Sequence, residues 1–216
     1  MSDRLPIKPG PPAAAKTRLP GIFLVAALIL LIAYVTYNTA TGERGSSTGP
    51  AVGTPMVQFA APLVNSALVG DVNVTQRSAG ATATRAACDL SSPAILNSCL
   101  LVKGQPAVLV FINSAEGRCA DTLDRVISAA AKYPAIRVAG IVIAGERAEA
   151  RRLAASHRWK IPLGEDRDGA LANLYGVAVC PQTVYLREGG VVDAVSVGEL
   201  EHAELDSHLS ALIGPN

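Results

Sequence analysis

The chain has 216 residues, 50% of them hydrophobic and 17% charged, with a net charge of +1, which allows one ordinary globular domain plus extensions. No polybasic run or basic face stands out, so nucleic acid is not expected as a partner. Cys88, Cys99, Cys119 and Cys180 are even in number and all follow the one strongly apolar segment, a distribution that suits an oxidising compartment.

Residues 1–19 are Pro-rich and carry Arg4, Lys8, Lys16 and Arg18 against Asp3 alone, which reads as a cytoplasmic tail. From Gly21 to Tyr37 the sequence GIFLVAALILLIAYVTY holds no charge and ends in the interfacial aromatics Tyr34 and Tyr37. That length meets the lower limit of about 17 residues for a spanning helix, so a transmembrane helix is expected over 20–37. A cleaved signal peptide is the competing reading. Its apolar core is usually about 7–15 residues with a small-residue cleavage site, and Asn38-Thr39-Ala40-Thr41 fits such a site poorly. The expectation is therefore a single-pass protein of the cell membrane, its N-terminus cytoplasmic and its C-terminal domain extracytoplasmic.

Residues 38–55, NTATGERGSSTGPAVGTP, offer little to bury and read as a flexible linker with a reach of roughly 20–25 Å. Residues 56–216 form the expected domain. Cys88 and Cys99 bracket a short segment with Pro93 at a turn and are expected to be joined. In the chain-entropy picture such a staple contributes about 2.5–3 kcal/mol.

Val108 to Ile112 is a continuous apolar run of central-strand type, ending in Asn113-Ser114-Ala115-Glu116-Gly117-Arg118-Cys119. A helix from about Cys119 to Lys132 places Leu123, Val126, Ile127 and Ala130 on one face, and a strand from Ile136 to Ile143 follows. A surface helix is expected from Arg147 to His157, a short strand or edge at 161–164, and a small helix from Ala170 to Tyr175. Glu165-Asp166-Arg167-Asp168 reads as a solvated charged turn. Then comes Val179-Cys180-Pro181-Gln182-Thr183-Val184-Tyr185-Leu186, a proline at the head of a strand that returns through Glu188-Gly189-Gly190, with a last helix from Ala203 to Ile213. The alternation is that of an α/β domain, a mixed central sheet flanked by helices on both faces.

The runs VGTPMVQFAAPL, PAVLVFINS and IPLGEDRDGALANLYGVAVCPQTVYL, the last with its EGG hairpin, resemble the membrane-anchored thioredoxin-like proteins of the bacterial cell envelope, the TlpA/redoxin group. The likeness runs from about Val57 to Ile213. It implies a thioredoxin-like fold and thiol–disulfide exchange with envelope protein thiols and disulfides. It also implies a cis peptide bond before Pro181, which would place Cys180 beside the active-site loop.

The departure lies at the family's Cys-x-x-Cys, where this chain has Glu116-Gly117-Arg118-Cys119 and keeps only the second cysteine. Three accounts of Cys119 follow. It pairs with Cys180 as a non-standard redox couple, with Pro181 presenting backbone to the substrate; Arg118 and the helix start would favour the thiolate and Glu116 would oppose it. Alternatively the same bridge is static, closing a long loop worth about 4 kcal/mol. Or Cys119 is a lone buried thiol and Glu116 caps the helix. The alternative function is then a redox-inactive module that binds an unknown protein partner.

A peroxide-reducing reading lacks the upstream Pro and Thr, since Asn113, Ser114 and Ala115 stand there, although Ser114 could donate. The scattered His157, His202 and His208 suggest solvated helix positions rather than a metal site. Neither metal nor cofactor is expected.

Overall fold

The structure, a computed structural model, describes residues 25–34, 49–76 and 85–214. It divides into a unit spanning Met1–Arg44 and one spanning Gly45–Asn216. Within the first, residues 25–34 form helix α1. Its large apolar side chains face outward, from 56% exposed at Leu28 to 71% at Leu30. The expected span over 20–37 lies partly outside the described residues, as do the tail over 1–19 and most of the linker. Among the described residues no helix is long and apolar enough to cross a membrane.

The second unit is an α/β domain with a mixed central sheet. Its central sheet comprises β3 (Ala107–Asn113), β4 (Arg137–Ala144), β5 (Leu163–Glu165), β6 (Gln182–Leu186) and β7 (Val192–Val197), in the order β5-β4-β3-β6-β7. β3 runs parallel to β4, and β4 to β5, whereas β6 is antiparallel to both β3 and β7. The helices of this domain are α2 (Ser98–Leu101), α3 (Gly117–Ala130), α4 (Arg147–His157), α5 (Ala170–Leu174) and α6 (His202–Ile213). Apart from α2, a single turn not expected from the sequence, and shifts of a residue or two at their ends, these are the elements expected from the sequence.

The unbroken apolar run of β3 follows from its place at the centre, where both faces are covered. Val108, Val110 and Ile112 pack on one face with Leu123 and Val126 of α3 and Leu205 and Leu209 of α6. Leu109 and Phe111 pack on the other with Phe59, Leu171 and Tyr175. The Leu163 side chain lies over Gly140, where a Cβ would come 2.5 Å from Leu163 Cδ1.

The residues ahead of the sheet cover both of its edges. β1 (Ala60–Pro62) pairs with β2 (Ile95–Asn97), Leu63 bridges to Gly164, and Val64 N–H donates to Leu163, which together close the β5 edge. At the β7 side, Gly53 N–H donates to Val192 O at 2.8 Å and Val192 N–H to Thr54 O at 2.9 Å. Residues 49–55, assigned by composition to the flexible linker, are therefore held against the domain, because an open strand edge supplies backbone partners that composition does not reveal.

The charged turn also differs from its sequence reading. Glu165 and Asp166 are buried, and only Arg167 and Asp168 are exposed. Arg147 donates to Glu165 at 2.6 Å and to the carbonyls of Leu63, Val64 and Ser66, tying α4 to the N-terminal segment. Asp166 accepts from the backbone N–H groups of Leu171 and Ala172 at the start of α5. Burial raises the pKa of the Asp166 carboxyl above its usual value, and those two hydrogen bonds pull it back.

The histidines are likewise not simply solvated. His157 and Trp159 both contact Asp124, His208 stacks on Tyr185, and His202 is exposed. These partners lie far away in sequence, which is why helical periodicity alone left them in solvent.

Candidate functional site

The β3–β6 register determines what meets at the end of the sheet. Phe111 lies opposite Gln182, so the antiparallel ladder brings Asn113 alongside Cys180 just beyond the last paired residues. Asn113 N–H donates to Cys180 Sγ at 3.0 Å. Four residues after β3 ends, α3 begins at Gly117 and places Cys119 in its first turn. Two cysteines 61 residues apart in sequence thus meet with Cα atoms 5.8 Å apart, and their sulfurs are joined. Cys88 and Cys99 are joined as well, with Cα atoms 5.5 Å apart.

The peptide bond between Cys180 and Pro181 is cis. Pro181 O accepts from Gly198 N–H at 2.8 Å, which fixes this kink to the end of β7. Cys119 is fully buried, at 0% exposure, while Cys180 is partly exposed. Val179, directly before Cys180, is 53% exposed. Both cysteines pack in the same apolar cluster, Cys119 wholly inside it and Cys180 at its partly exposed margin.

Glu116 is the N-cap residue of α3, yet its side chain makes no capping hydrogen bond. The lone-thiol account, with Glu116 satisfying the helix start, therefore does not describe this loop. Glu116 Oε1 instead accepts from Asn113 Nδ2 at 3.0 Å, and Oε2 lies 3.7 Å from Cys119 Sγ. In the disulfide there is no S–H to donate, so the latter is a contact. Arg118 is exposed, where solvent screens its charge. Ser114 is buried and its hydroxyl donates to Ala144 O at 3.2 Å, so it is not free to serve a peroxide.

The sequence reading passed over Asn113. Its backbone contacts one sulfur, its Nδ2 orients the carboxylate beside the other, and its Oδ1 accepts from Ala115 N–H at 3.0 Å to shape the loop. An Asn that ends an apolar strand and sits three residues before an N-cap is the local signal of such a turn. Among the described residues no cluster of His, Cys, Asp and Glu could hold a metal ion.

Neither the comparison with known protein families nor that with curated proteins returns a match. Solved structures do show the same fold. A putative thiol:disulfide interchange protein DsbE from Chlorobium tepidum superposes with a TM-score of 0.58 at 18% identity, covering 76% of this chain and 99% of that one. A putative protein disulfide isomerase from Bacteroides thetaiotaomicron gives 0.57 at 16% identity, over 76% and 91%. The structure of MTB dsbF in mixed oxidized and reduced forms gives 0.54 at 20% identity, over 72% and 96%. The fold is thus thioredoxin-like, of the type found in thiol:disulfide proteins.

Proposed function

We propose that this protein is a membrane-tethered thiol–disulfide oxidoreductase of the cell envelope whose redox couple is Cys119 and Cys180. The observation that carries the reading is the junction of these two sulfurs at the first turn of α3, beside Pro181. Exchange needs an attacking sulfur and a resolving one; Cys119 stands at the second position of the expected Cys-x-x-Cys, and Cys180, from the kink before β6, is its partner. The neighbours' names, thiol:disulfide interchange protein and protein disulfide isomerase, favour the same class of substrate, protein thiols and disulfides.

The membrane tether rests on the uncharged stretch from Gly21 to Tyr37 and on the outward-facing apolar side chains of α1. Basic residues at 1–19 favour a cytoplasmic N-terminus and an extracytoplasmic domain.

A second reading is a redox-inert module with a structural bridge, favoured by the complete burial of Cys119 and by the long loop that the bridge closes. Turnover separates the two. With a disulfide-bonded protein substrate and a dithiol reductant, the full chain should catalyse reduction and Cys180→Ser should abolish it. Equal, uncatalysed rates for the full chain and the variant would leave only the structural bridge.

A further inference from the structure

The two sulfurs are not equivalent, and the difference runs opposite to what their order in sequence suggests. Cys119 stands at the helix start, the usual place for a reactive thiol, yet it is fully buried. Cys180 comes from the kink before β6, is partly exposed, and accepts a backbone N–H from Asn113 at 3.0 Å. A hydrogen bond donated to sulfur favours the thiolate, whereas the Glu116 carboxylate 3.7 Å from Cys119 Sγ disfavours a second negative charge there. The exposure of Cys180 and the backbone hydrogen bond it accepts therefore select the same atom.

Resting on the oxidoreductase reading above, we infer that Cys180 is the attacking sulfur, Cys119 the resolving one, and Glu116 the group that takes the resolving proton. In the reduced chain the Cys180 thiolate attacks one sulfur of a partner protein's disulfide. That bond breaks, a Cys180–partner disulfide forms, and the partner's other sulfur leaves as a thiolate that takes a proton from water. Cys119 S–H then passes its proton to the Glu116 carboxylate and attacks Cys180 Sγ. The Cys119–Cys180 bond forms, the Cys180–partner bond breaks, and the partner sulfur held in it leaves as a thiolate and is protonated in turn. Two electrons have moved from the dithiol to the partner, and Glu116 returns its proton to solvent. A partner dithiol runs the same steps backwards, entering at Cys180, the less buried residue of the pair.

The assignment also gives Asn113 a task. Its backbone N–H stabilises the attacking sulfur, and its side-chain amide holds Glu116 toward the resolving one. One residue at the end of β3 sets both halves of the asymmetry.

Competitive labelling of the reduced full-length wild-type chain tests the order without any mutation. With less than one equivalent of iodoacetamide and peptide mapping, Cys180 should be alkylated about 100-fold faster than Cys119, which reacts only through local opening. Cys119 labelled first, or both at similar rates, overturns the assignment. The reduced variants give a second reading with 5,5′-dithiobis(2-nitrobenzoic acid) as the probe. Cys119→Ser should form a mixed disulfide at Cys180 rapidly and retain it, whereas Cys180→Ser should react slowly. The reverse pattern overturns the inference. Glu116→Gln should lower the rate of resolution relative to capture by about 100-fold, the low end for lost proton transfer. An unchanged ratio removes Glu116 from the step. Wild-type turnover combined with first attack at Cys119 would defeat this inference alone, whereas absence of wild-type turnover would defeat the reading on which it rests.

Discussion

At the scale of single residues, the site is built by partners rather than by residue types. Glu116 stands in the loop between β3 and Cys119, and its carboxylate is turned toward Cys119 by the Asn113 amide. Asp166 shows how burial makes a charged group pH-sensitive. Its carboxyl pKa is raised, chiefly by desolvation, so the folded state holds its proton to higher pH than the unfolded state does. The contribution of Asp166 to stability is fully present below its unfolded pKa of 3.8 and is lost as pH rises through the higher folded value. Asp166→Asn removes this dependence. Urea titrations from about pH 3 to 7 should show the stability gap moving in the variant's favour as pH rises, and a constant gap would contradict the account.

At the scale of elements, β3 organises both the core and the site. Its alternate residues fill the two faces of the sheet, and its C-terminal end carries Asn113 to Cys180. Phe111 is 0% exposed and packs on Tyr175 with ring centroids 5.0 Å apart. Phe111→Ala should therefore destabilise the domain by about 3–5 kcal/mol in denaturant titrations. A loss below about 1 kcal/mol would mean that the two-sided packing of β3 is not what holds the sheet. The Cys119–Cys180 bridge ties the α3 end of this arrangement to β6 across 61 residues, and in the chain-entropy picture it contributes about 4 kcal/mol. In the full chain, Cys180→Ser should accordingly lower stability by roughly that amount as well as abolish turnover. Retention of full stability would argue that the bridge is open in solution.

For the molecule as a whole, the periodic elements were legible in the sequence because their signal is local. The apolar run of β3, the amphipathic stripe of α3 and the Pro181 hairpin each state their type within a dozen residues or so. The meeting of Cys119 with Cys180 depends on β3 and β6 being antiparallel neighbours, which the resemblance suggested and no local pattern could. What stayed hidden was set by distant partners. Arg147 buries Glu165, the β7 edge holds residues 49–55, and Asp124 gathers His157 and Trp159. The roles of the two sulfurs were equally illegible, since exposure is a property of the folded surface. The proposed tether predicts that the full chain stays with membranes through an alkaline carbonate wash, and that deleting residues 1–48 releases the domain. Release of the intact chain by that wash would remove the membrane from the account.

The central claim is that Cys119 and Cys180 exchange rather than merely hold the fold. Equilibrating the full-length protein in buffers of defined potential and counting alkylated thiols at each cysteine by mass spectrometry tests it most directly. The account predicts a two-electron transition of the Cys119–Cys180 pair between about −150 and −250 mV, within the range of exchanging thiol–disulfide proteins. A transition below about −300 mV, where structural disulfides lie, would contradict it.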